Sequence, residues 1–225
     1  MKGLGFQPNS LDAIRAKGSA RRTFSDIQVA HGIVDGSGKR VLIEFNKDGT
    51  LSFSANATPD IIRICTDLNA TPTGRQQLKN AINSPVRVSL QIQNVVKPYG
   101  SGGYVFGETP QGNSQNPKGN YSKYVDEKGR YGITEAKVTI YEGSIKRAIA
   151  SGSRLKLECL TLEEAIGTVA AHELVHATDA VEIDKDLKYL QKNQNTDKKH
   201  RPDGEKKAET VEEQVMLELR KQNPR

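Results

Sequence analysis

Apolar and polar positions alternate with period two in several stretches of the chain, and each predicts a strand with one covered face. Val41, Ile43 and Phe45 alternate with Leu42, Glu44 and Asn46. Leu51 and Phe53 follow the turn signal Asn46-Lys47-Asp48-Gly49, so the two runs read as a β-hairpin. Val86, Val88, Leu90 and Ile92 alternate with Arg87, Ser89, Gln91 and Gln93, the clearest half-buried strand in the chain. Ala136, Val138 and Ile140 face away from Lys137, Thr139 and Tyr141 in another strand, which Gly143 ends.

Helical spacing appears elsewhere. Thr58 is placed as an N-cap with Pro59 at the first helical position, and the helix runs through Ile61, Ile62, Cys65 and Leu68. After the break Thr71-Pro72-Thr73-Gly74, a second short helix covers residues 75–82. The strongest helix starts at the capping box Thr161/Glu164 and runs from residue 162 to about 183, with no Pro and only Gly167 inside it. Residues 186–204 form a polar connector closing on Arg201-Pro202-Asp203-Gly204. A last helix, from Glu205 to about residue 221, repeats apolar residues at Ala208, Val211, Val215 and Leu219 and must pack on something.

Residues 1–26 show no periodicity and read as a flexible N-terminal extension, with regular structure from Ile27 and one domain over 27–225. Residues 98–132 form a long loop rich in Gly, Pro, Asn and Tyr, of a length that marks function or disorder. Its tyrosines, Tyr99, Tyr104, Tyr121, Tyr124 and Tyr131, can line a cleft, although ordinary loop packing is the simpler role for any one of them. The expected fold class is α+β, a small, mostly antiparallel sheet with helices.

Composition narrows the function classes. The 225 residues are 35% hydrophobic and 5% aromatic, with no Trp, so the core is lean. No apolar run reaches the roughly 18 residues of a membrane span. No cleavable signal peptide is visible over residues 1–22, which leaves a soluble protein of the cytoplasm or one exported by a signal-less route. The net charge of +6 raises the question of nucleic acid, but the basic pairs Arg21-Arg22, Lys198-Lys199 and Lys206-Lys207 are dispersed among carboxylates without a stacking pattern. A solvated surface is the better reading. Cys65 and Cys159 sit in apolar contexts and read as buried thiols, with one disulfide open as an alternative. Gly100-Ser101-Gly102-Gly103 lacks the helix and Lys that phosphate cradling needs.

The chemistry gathers in His172-Glu173-Leu174-Val175-His176. Four residues apart on a helix, the two imidazoles project from one face, with Cβ atoms roughly 5–6 Å apart, and can converge on one Zn²⁺ at about 2.0–2.1 Å each. Glu173 points to the side of that pair, where it reaches a metal-bound water without ligating the metal. It is placed to take the proton as that water attacks a carbonyl and to deliver it to the leaving amine. Two of the chain's four histidines fall here, amid Ala170, Ala171, Leu174, Val175, Ala177 and Ala180. Ionisable groups in so apolar a setting are costly unless paired or ligated.

The pentapeptide, with Ala177 and Asp179 after it, resembles the zincin metallopeptidases. That resemblance implies peptide or protein substrates, a Zn²⁺ cofactor, and a motif helix beside a sheet whose edge strand binds the substrate backbone. The strand over residues 136–141 is the candidate edge. A third ligand is required. The metzincin arrangement fails because Asp179 stands where its Gly belongs, with Glu182 at the ligand position. Asp179 itself reads as an acceptor for a ligating histidine's ring N–H, or equally as a solvent-facing carboxylate. Glu205-Lys206-Lys207-Ala208 resembles the Glu-x-x-Ala element of small gluzincin-like domains, which implies Glu205 as ligand and Ala208 as a close helix contact. Glu209 is second choice, and the same helix also offers Glu212 and Glu213. His200 lies in a basic connector and His31 at a strand end, neither suited to a metal. Such gluzincin-like domains also serve as effector or toxin modules of larger bacterial polypeptides. The competing class is a basic non-catalytic binding protein with a degenerate or structural metal site. Glu173 argues against it, since a structural site has no use for that carboxylate.

Overall fold

The two strongest alternating strands lie side by side, but they run in the same direction. In the computed structural model, which describes residues 31–100, 102–113, 124–126, 129–151, 157, 159–193 and 200–223, the chain is α+β. The expected extension at 1–26 and the start at Ile27 lie outside these residues. Strand β4 (Arg87–Gln93) pairs parallel with β9 (Glu135–Tyr141), Val88 opposite Ala136 and Leu90 opposite Val138. Strand β1 (Gly32–Val34) adds parallel on the other side of β4. The short antiparallel pair β5 (Pro98–Tyr99) and β6 (Gly103–Tyr104) stands apart from this sheet, in which only the short β7 (Gly107–Glu108) and β8 (Gln111–Gly112) run antiparallel to β9. The sheet is therefore mixed, correcting the mostly antiparallel expectation. Alternation reports that one face is covered. It carries no information on strand direction, which the connections set: parallel neighbours need long crossovers. Here the first crossover carries hairpin β2 (Ile43–Phe45)–β3 (Leu51–Phe53) and helices α1 (Pro59–Leu68) and α2 (Pro72–Ile82).

Helix starts follow local chemistry. Thr58 accepts from the Ile61 N–H and Pro59 opens α1. The segment Thr71–Gly74, expected as a break, is instead the first turn of α2: the Thr71 hydroxyl accepts from the Gly74 N–H at 3.1 Å, and Glu218 accepts from the Thr73 N–H at 2.9 Å. Gly143 does not end β9 at a loop. The chain passes directly into α3 (Glu142–Ser151), unforeseen in the sequence, and a Cβ at 143 would lie 2.5 Å from the Val95 carbonyl carbon. Gly143 is there for that close approach.

Helix α4 (Leu162–Thr178) carries the pentapeptide behind the capping box Thr161/Glu164. Its residues are buried on nearly every side, as in a helix surrounded by protein. It packs against α1, α2, α3, β9, β7 and the two helices that follow. The single helix expected to about 183 divides at Asp179, whose extended backbone (φ −76°, ψ 104°) ends α4 and caps α5 (Ala180–Lys192) through the N–H groups of Val181 and Glu182. Aspartate side chains offer the backbone this alternative to a continuous helix. α5 also takes up the start of the expected 186–204 connector. α6 (Lys206–Gln222) closes the fold, burying Ala208, Val215, Met216 and Leu219. No disulfide joins Cys65, which is buried, to Cys159, which is exposed against expectation. No helix among the described residues is long and apolar enough to cross a membrane.

Candidate metal centre

α4 is the central helix: apart from its first turn, where Glu163 is exposed, and the half-buried Thr178 at its end, it opens only towards the cleft, where the half-buried His172 and His176 flank the buried Glu173. The two rings have centroids 5.2 Å apart and are tilted by 59°. Glu205, at the N-cap of α6, brings its Oε2 to 3.2 Å from the Nε2 of both rings. These three residues form the group of donor atoms that lies close enough to hold one metal ion. Four-coordinate zinc with bonds of about 2.0–2.1 Å places its ligand atoms about 3.3 Å apart, so the donor type and spacing suit such an ion.

The other ring nitrogen of His172, Nδ1, lies 3.0 Å from Glu212 Oε2. With the ring proton donated there, Nε2 faces Glu205 with a lone pair towards a carboxylate. Only a cation between them, proton or metal, makes that contact favourable. Burial acts to lower the His172 pKa, but Glu205 and Glu212 outweigh it and push it up to about 10. The two imidazoles in turn hold the Glu205 carboxyl far below the usual carboxylate range.

Glu173 is buried in the wall beside this group. Burial raises its pKa, opposed by the neighbouring imidazoles and by the Thr109 hydroxyl, which donates to Oε2 at 2.7 Å. Thr109 belongs to the strap that carries β7 and β8 across α4, and Gln111 of the same strap donates to the His176 carbonyl. The strap can come this close because residue 107 is Gly: a Cβ there would lie 2.7 Å from Glu173 Oε1 and 2.8 Å from Val169 Cγ1. Lys97, Glu108 and Tyr141 hydrogen-bond together at its base. The strap, α4, α5 and the start of α6 enclose a cleft of about 770 Å³.

The remaining candidates fall as follows. Asp179 accepts from neither His172 nor His176. It caps α5 and pairs with Lys207 Nζ at 2.6 Å, and Glu212 takes the expected acceptor role. Glu182, at the metzincin ligand position, is paired with Arg201 and Lys185 instead. Glu209 lines the cleft without joining the donor group, as does His200, while His31 is exposed beside β1. Tyr99, Tyr104 and Tyr124 line the cleft; Tyr131 does not, and Tyr121 lies outside the described residues. Sequence reasoning missed Thr109, Gln111 and Arg201. The first two gave no local signal, because they act on residues 64 and 65 positions away. Arg201 had one, the i, i+4 carboxylates Glu182 and Asp186 on the helix it docks against. No protein-family model, curated protein or solved structure matches the chain.

Proposed function

We propose that the chain is a zinc-dependent peptidase of the zincin type, with His172, His176 and Glu205 as the ligands and Glu173 as the general base. The observation that carries this reading is convergence: Nε2 atoms from two turns of one helix meet a carboxylate from another at 3.2 Å each. Glu173 stands in the same cleft wall, outside the donor group. Zinc in such a site supplies Lewis acidity, polarising a carbonyl and making water a nucleophile near neutral pH. The chain supplies the rest. Glu173 holds the proton taken from the attacking water and passes it to the leaving amine, while Thr109 fixes one of its oxygens. Strand β9 is interior to the sheet, so the substrate-binding edge that the zincin resemblance implies falls to the strap with β7 and β8.

Metal analysis of the purified chain, paired with Glu173→Gln assayed on a quenched-fluorescent peptide library, tests this. The expected result is about one zinc per chain in both proteins, with kcat/KM lowered at least about 100-fold in the variant. A variant as active as the wild type overturns the scheme. Zinc-loaded wild type that cleaves no member of the library favours the non-catalytic binding protein.

A further inference from the structure

Glu205 is the outermost of the three candidate ligands. Its side chain is 68% exposed, and among the described residues its carboxylate meets only the two imidazoles. No wall of side chains orients it, so its position comes from the backbone at the start of α6. That backbone is tied down on both sides. Two residues downstream, Lys207 pairs with Asp179 at the α4–α5 junction. Four residues upstream, Arg201 has its side chain largely covered, 9% exposed. Its guanidinium divides among three carboxylates: Nη2 on Glu182, Nε on Asp186 at 2.7 Å and Nη1 on Asp203 at 2.8 Å.

Glu182 and Asp186 lie one turn apart on α5, so one planar fork spans both and fixes the connector against that helix. The turn between Arg201 and Glu205 is closed by its own backbone. The Gly204 N–H donates to the Arg201 carbonyl at 3.0 Å and the Lys206 N–H to the Asp203 carbonyl at 3.3 Å. There is little slack between the guanidinium and the Glu205 Cα.

A largely covered cation with three carboxylate partners is poor evidence for net stability, since desolvation offsets much of the Coulomb gain. It is better placed to specify geometry. We propose that Arg201 is the positioning residue for Glu205: by docking the 201–204 turn on α5 it sets where the third carboxylate stands relative to His172 and His176. This rests on the assignment of those three residues as a metal site.

The test is zinc affinity of the full chain, measured by competition with a chromophoric chelator. Arg201→Gln is expected to weaken binding about 10- to 100-fold. Arg201→Lys falls between, because a single ammonium cannot span three carboxylates. The decisive comparison is in a Glu205→Ala background, where Arg201→Gln has no further effect if it acts through that carboxylate. An equal loss in both backgrounds overturns the proposal. So does a lowered Tm with unchanged zinc affinity, the signature of a purely structural ion cluster. Should Arg201→Gln fail to fold, Asp186→Asn removes one prong and meets the same criteria with a several-fold loss. A wild type that takes up no zinc overturns the metal site and this inference together, whereas wild-type affinity in Arg201→Gln overturns the inference alone.

Discussion

His172 is held at both ring nitrogens by carboxylates of α6, Glu212 behind and Glu205 in front. Glu212 fixes which nitrogen points into the cleft, so Glu212→Ala is expected to lower zinc affinity about 10- to 100-fold while leaving all three donors in place. Unchanged affinity in a chelator competition would show that the ring needs no such hold. At this scale the sequence was legible where chemistry is local. His172, Glu173 and His176 share one helix, so spacing alone places them. Glu205 was reachable only through the Glu-x-x-Ala resemblance, and the close contact this implies for Ala208 accords with its complete burial. Glu212 was one of several equivalent-looking glutamates. Nothing in a linear pattern separates it from Glu213 until the partner 40 residues away is known.

Between elements, α4 approaches the backbone of α1 closely at Gly167. A Cβ at Gly167 would lie 2.6 Å from the Asp67 carbonyl oxygen, and at this junction the Asp67 Oδ2 is buried without a hydrogen-bond partner among the described residues. Burial pushes the Asp67 pKa up to about 7, against the pull of Arg63. The folded value lies above the ordinary aspartate value of 3.8, so the folded chain holds the proton more tightly. The stabilising contribution is complete below about pH 4 and is lost as pH rises through about 7. Asp67→Asn is expected to melt level with the wild type near pH 4 and above it at pH 8. Partial exposure screens the charge, so the gain is on the order of 1 kcal/mol. Parallel melting curves across that range would show that the carboxyl is solvated. Elements were legible in the sequence as far as their signals are local: caps at Thr58 and Thr161, and the face of α6. Strand direction was not, and neither was the break at Asp179, because a capping aspartate in a helical pattern looks like any other polar helix position.

Across the whole molecule, the candidate ligands join the central helix to the last one, 29 residues further along the chain. An ion bound there clips α4 to α6. Zinc at about 100 times its Kd adds about 2.7 kcal/mol, a Tm rise of roughly 5–10 °C for a chain of this length. Thermal melts with zinc and then with excess chelator measure it. The same Tm in both, or a full rise in Glu205→Ala, counts against the ligand set. Charge was legible only as a sum. The net +6 gives no hint that Glu108, Glu173, Asp186, Glu205, Glu209 and Glu212 gather in one cleft. The near-complete burial of α4 has a further consequence, for sequence drift. One rod supplies both the packing centre and the reactive groups, so substitutions along it disturb stability and chemistry together and have few neutral routes. Room for change lies at the periphery instead, on the exposed side of hairpin β2–β3, where Leu42 and Glu44 face solvent, and on the outer face of α6 around Leu217.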